Sequence, residues 1–77
     1  MKIKVSGFTK IIISSDFIKL DSLLKLSGIA ETGGEAKLFI QDGDVRVNGE
    51  ICIQRGKKII PGNVVRFKDK ALIVTEK

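Results

Sequence analysis

Apolar and polar positions follow two different periods along this chain, and the switches between them divide it. Over residues 1–5, Lys2 and Lys4 alternate with Ile3 and Val5, which predicts a short half-buried strand before a turn at Ser6-Gly7. Residues 10–13 form a second, β-branched run closed by Ser14-Ser15-Asp16. Residues 71–75 (ALIVT) are equally strand-like, so both runs are candidates to pair with the far end of the chain. From Asp21 the period lengthens. Asp21 reads as an N-cap, Leu23, Leu24 and Leu26 as an apolar face and Gly28 as a stop, predicting a helix over residues 21–27. At about two turns it is marginal alone. It is expected to pack on Phe39 and Ile40, with Ile29 and Ala30 filling the corner of two helices joined by about four residues.

The clearest stretch is residues 32–53. Thr32 followed by Glu35 is a capping box, in which the hydroxyl accepts from the Glu35 amide and the carboxylate reaches back to the Thr32 amide. Ala36, Phe39 and Ile40 then fall on one helical stripe, with Lys37 and Gln41 turned toward solvent and Gly43 ending the helix. After Asp44 the period drops to two: Val45 and Val47 share a face, Asn48-Gly49 favours a type I′ turn, and Ile51 and Ile53 return. Further on, Pro61-Gly62 suits the centre of a type II turn, residues 64–67 a strand, and Asp69-Lys70 a turn into Leu72, Ile73 and Val74. Nothing repeats at a fixed period and no linker interrupts the pattern. The expectation is a single α+β domain over residues 1–77, in which two short packed helices precede a β-hairpin and further short strands, with N- and C-terminal strands added.

Composition narrows the function classes. With 43% apolar and 30% charged residues the chain reads as globular rather than disordered. No apolar run approaches the ~20 residues of a membrane span, and the basic start lacks the apolar region of a signal peptide. The expected location is therefore the cytoplasm. Cys52 is the only cysteine and histidine is absent, so an internal disulfide, a thiolate zinc site and His-dependent nucleophile triads are excluded. Between Ile51 and Ile53, Cys52 reads as a small strand filler.

Charge is distributed unevenly. Residues 16–44 carry a balance of −3, whereas residues 45–68 carry six basic side chains against Glu50 alone, within a net charge of +5 for the whole chain. A one-sided basic surface is the footprint of a polyanion binder. Other constellations carry less. Gly33-Gly34 at a helix start could cradle an anion, but Glu35 in the same turn opposes it. Gly56-Lys57-Lys58 lacks the upstream glycine and the Ser or Thr of a P-loop. Asp42-Gly43-Asp44 lacks the spacing of a calcium loop. No carboxylate pair has an acid/base context, and no metal or cofactor is implied. The remaining signal is Arg46 on the outer face of the hairpin, with Arg55, Lys57 and Lys58 on the loop that follows. Four phenylalanines, with no Tyr or Trp, supply base stacking poorly, so phosphate and shape contacts to folded or double-stranded RNA fit better.

Taken in order, Lys19-Leu20-Asp21, Leu23-Leu24 through Gly28, Glu35-Ala36-Lys37, Gly43-Asp44-Val45-Arg46-Val47-Asn48-Gly49 and Pro61-Gly62-Asn63-Val64-Val65 form a recognisable series. Residues 19–67 resemble the S4-type RNA-binding domain, or alpha-L motif, and in particular its short stand-alone bacterial members, the YaaA-like and YbcJ-like proteins. The resemblance implies an RNA surface built from the second helix, the hairpin and the following basic loop. Carried onto this chain, it implicates Lys19, Lys37, Arg46, Asn48, Arg55, Lys57 and Lys58, with Asn48 serving the turn rather than the RNA. Where many members place Ser-Arg at the start of the second helix this chain has Thr32-Gly33, so a phosphate-contacting arginine is missing there. The implied function is non-enzymatic binding of structured RNA, ribosomal or transfer RNA, in a ribosome-associated monomer. The alternative is an adaptor docking an acidic ribosomal or replication protein; a third reading is non-specific DNA binding.

Overall fold

Local signals and long-range pairings build different parts of this structure. A computed structural model of the chain describes residues 8–77. The elements run β1 (Thr9–Ile13), β2 (Ile18–Lys19), α1 (Leu20–Leu26), α2 (Gly33–Gln41), β3 (Val45–Val47), β4 (Glu50–Ile51), β5 (Lys58–Ile59), β6 (Val64–Phe67) and β7 (Lys70–Glu76). A five-stranded sheet has the order β1-β7-β6-β3-β4, and β2 and β5 form a separate two-stranded pair. β1 runs parallel to β7, so the run at residues 10–13 does pair with the far end of the chain. The strand expected over residues 1–5 lies outside the described residues.

The helices pack together on one face of the sheet. Leu20, Leu23, Leu24, Ala36 and Ile40 join Val45, Val65, Leu72 and Val74 in one buried cluster, and the Phe39 ring meets that of Phe67 with centroids 4.6 Å apart. Burial of these side chains is the main source of stability. Among the described residues no helix is long and apolar enough to cross a membrane, which leaves membrane-crossing strands unaddressed.

α2 begins as expected: Thr32 Oγ1 accepts from the Glu35 N–H at 3.1 Å. The carboxylate, however, accepts from the Glu31 N–H at 2.7 Å rather than from Thr32. Its far end is a Schellman motif, in which the Gly43 N–H donates to the Ile40 carbonyl and the Asp44 N–H to the Phe39 carbonyl, with Gly43 at φ +81°. Thr32→Ala should cost about 1 kcal/mol, measured by urea unfolding, because it leaves the Glu35 amide without its acceptor; an unchanged midpoint would show the cap to be idle.

α1 departs from the sequence expectation. It starts at Leu20, not Asp21, and its N-cap residue, Lys19, makes no side-chain cap. The first N–H groups are met instead by a distant loop: Leu20 N–H donates to the Lys57 carbonyl at 2.9 Å and Asp21 N–H to the Arg55 carbonyl at 3.1 Å. The apolar face is correspondingly Leu20, Leu23 and Leu24, while Leu26 is 61% exposed. Six residues rather than four separate the helices, with Ala30 buried and Ile29 partly buried in the corner.

The hairpin turn is type I′, with Asn48 at φ 51° and Gly49 at φ 92°. A two-residue loop pairs Val47 with Glu50 and Arg46 with Ile51, the register that a turn at Asn48-Gly49 dictates. Ile51 therefore shares the outer face with Arg46 and is exposed, as is Ile53. Cys52, whose N–H donates to the Val45 carbonyl, takes the inward position and packs against the core. At Pro61-Gly62 the Asn63 N–H donates to the Ile60 carbonyl and Gly62 has φ +98°, as a type II turn requires. The last turn is Lys68-Asp69 rather than Asp69-Lys70; Lys68 takes the left-handed conformation and Phe67 pairs with Lys70.

Candidate functional site

The capping of α1 by the 55–57 loop determines where the basic residues stand. Because Lys57 and Arg55 give their carbonyls to the helix, the loop is held by backbone bonds, and its side chains point outward. The β2–β5 pair then sets Lys19 directly opposite Lys58. Arg55 Nε donates to Asp21 Oδ2 at 3.1 Å, in a pair whose side chains are 50% and 18% exposed, respectively. Among the described residues Lys57 and Lys58 make no ion pair. Lys58 Nζ lies 4.9 Å from the centroid of the Phe17 ring, which is itself at the surface. Thus Lys19 joins Arg55, Lys57 and Lys58, distant from it in sequence, in one group at the start of α1.

Beside this group an open groove of about 710 Å³ runs between the hairpin and the loop. Asn48, Lys57 and Lys58 line it together with the exposed Ile51, Ile53 and Ile60. Asn48 is committed to the fold, since its Oδ1 accepts from the Val64 N–H at 2.9 Å and its own N–H donates to the Val64 carbonyl, tying the hairpin tip to β6.

The other two candidates stand apart. Lys37 is exposed on the helical layer, and among the described residues no hydrogen bond or ion pair links it to the rest. Arg46 projects from the sheet face that the helices leave open, where its Nη1 donates to the Gly49 carbonyl at 3.2 Å.

Two features go beyond the sequence expectation. Arg66 is exposed directly across from Arg46, and its outward direction follows from the alternation with Val65 and Phe67. Two of the four phenylalanines, Phe8 and Phe17, are at the surface with a cation over each ring, so aromatic faces are better supplied than their number suggests. Chemically, this is a surface of fixed cations beside apolar and amide groups. Among the described residues no three His, Cys, Asp or Glu side chains gather to hold a metal ion.

Comparison with known proteins gives a consistent result. The S4 domain family model matches residues 11–75. RlbA of Bacillus subtilis (strain 168), named provisionally as a ribosome maturation protein, is 38% identical over 56 residues, spanning 73% of this chain and 79% of that one. YbcJ of Escherichia coli (strain K12), named provisionally as an RNA-binding protein, is 40% identical over 50 residues, spanning 65% and 71%. The solution structure of YbcJ from E. coli, described as revealing an alpha-L motif involved in RNA binding, superposes with a TM-score of 0.72 at 30% identity, covering 97% of this chain and 96% of that one.

Proposed function

The chain belongs to the S4 domain family, and from that premise we propose that it is a non-enzymatic module that binds structured RNA. Its α+β arrangement is that of the alpha-L motif. The observation that carries the reading is the group at the start of α1, where Lys57 and Lys58 are held by backbone bonds opposite Lys19 and carry no ion pair among the described residues. Cations fixed at spaced positions on a rigid loop suit phosphates of a folded RNA. Lys19, Lys57 and Lys58 make the central contacts. Arg55, its charge offset by Asp21, positions the loop, Lys37 and Arg46 extend the surface, and Asn48 maintains the hairpin.

The match to the S4 domain family supports a binding role over catalysis. The name of RlbA supports ribosomal RNA as the ligand class, with transfer RNA next, and the protein acts as a monomer in the cytoplasm, associated with the ribosome. The test is crosslinking in the source cell with sequencing of recovered RNA, together with a salt titration on the RNA recovered. One rRNA or tRNA region should be enriched, with a log-log salt slope of about −3 or steeper for three or more phosphate contacts. A protein partner recovered with no RNA above background would overturn the reading in favour of an adaptor for an acidic protein.

A further inference from the structure

The sheet face that the helices leave open is chemically one-sided. Strand registers set Ile51, Arg46, Arg66 and Ala71 side by side across it. Phe8, one residue before the Thr9–Leu72 pair, flanks Ala71 at the far end of that row. Ala71 is only 6% exposed although it lies outside the core cluster, and in this row it stands between Arg66 and Phe8. The Arg66 guanidinium stands 5.5 Å from the centroid of the Phe8 ring, and Lys10 projects from the next row, beside Ile73. Among the described residues no outward strand position is acidic: Glu50 and Glu76 pair with the inward Val47 and Ile13.

Like charges on directly opposite strand positions repel and weaken a sheet. Arg46 and Arg66 are so placed, and among the described residues neither is paired with a carboxylate. An anion bridging both would relieve the repulsion, and the phosphates of a nucleic-acid strand are such anions. Phe8 is 50% exposed and Ile51 53%, a ring face and an apolar ledge of the kind unpaired bases stack and rest on. A fully paired duplex keeps its bases in the stack and could not use them.

We propose that this outer sheet face binds a single-stranded extension of the RNA held by the basic loop, with phosphates on Arg46 and Arg66 and a base against Phe8. The proposal rests on the RNA-binding reading above. Ile51, which lines the groove beside the basic loop and stands next to Arg46 in the outer row, joins the two surfaces.

The test uses the full chain and two synthetic RNAs in fluorescence anisotropy: a blunt hairpin, and the same hairpin with an unpaired 3′ extension of about eight nucleotides. The extension should tighten binding about tenfold or more. Arg66→Gln and Phe8→Leu should each remove most of that gain while leaving blunt-hairpin affinity and the thermal unfolding midpoint unchanged. If the extension adds nothing, or both variants keep the gain, the proposal is overturned while blunt-hairpin binding still sustains the RNA reading. If neither RNA binds, that reading fails and the proposal with it. Displacement of the extended hairpin's gain by polyglutamate as effectively as by unlabelled single-stranded RNA would overturn it in favour of an acidic protein partner.

Discussion

Replacing Lys57 and Lys58 together by alanine should weaken binding to structured RNA roughly 30-fold at about 0.15 M salt and flatten the log-log salt slope by about 2. Each phosphate contact contributes a slope near −0.9, so two contacts are worth roughly 30-fold between 1 M and 0.15 M salt. The loop should keep its place, because what holds it is backbone: the Lys57 carbonyl on the Leu20 N–H, the Lys57 N–H on the Gln54 carbonyl, and the Lys19–Lys58 pairing. Alanine retains all three. The Lys58 contact with Phe17 is lost, but both groups are at the surface and its loss should leave the unfolding midpoint nearly unmoved. Arg55→Ala is a poorer probe, since it also releases Asp21 at the start of α1. An anisotropy titration at several salt concentrations decides the matter. Unchanged affinity and slope would show that the RNA surface lies elsewhere.

The parts of the fold that are legible in the sequence are those whose cause lies within a few residues. Thr32 and Gly43 bracket α2 by hydrogen bonds to their own helix, and Asn48-Gly49 and Pro61-Gly62 carry the left-handed residues that their turns need. The start of α1 is not legible in this way because its cause is not local. Asp21 is a good N-cap residue, yet the loop carbonyls of Arg55 and Lys57 satisfy the same N–H groups, so the helix begins one residue earlier. The direction of the side chains on the returning strand also has a local cause. A two-residue turn forces Val47 opposite Glu50, which turns Ile51 outward with Arg46 and brings Cys52 in.

The candidate site divides in the same way. Arg55, Lys57 and Lys58 are visible as a basic run, and Arg46 as an outward residue between two valines. Their grouping with Lys19 is not, because it depends on the β2–β5 pair, which joins residues about 40 positions apart and whose strands are only two residues each. Charge in the sequence locates the basic half of the molecule; tertiary hydrogen bonding decides which cations share a surface. Arg66 belongs to a third case, in which alternation gives the direction of the side chain and only the sheet order gives its neighbour.

Leu20→Ala and Leu26→Ala should separate sharply in stability, by urea or thermal unfolding followed by circular dichroism. Leu20 is fully buried in the core cluster, so truncation removes its transfer free energy and leaves a cavity, about 2–5 kcal/mol. Against a total of roughly 4–12 kcal/mol for a domain of this size, that is a fall in midpoint of roughly 10–30 °C. Leu26 is mostly exposed, and alanine is the better helix former, so its truncation should change stability by less than about 0.5 kcal/mol. Equal costs for the two would mean that α1 is rotated about its axis from the orientation described. The orientation matters beyond the core. Burying Leu20, Leu23 and Leu24 is what aims the first N–H groups of α1 at the carbonyls of Lys57 and Arg55. The apolar stripe of a seven-residue helix and the placement of Lys57 and Lys58 are thus one constraint, and a substitution that turns the helix should weaken RNA binding even though it touches no cation.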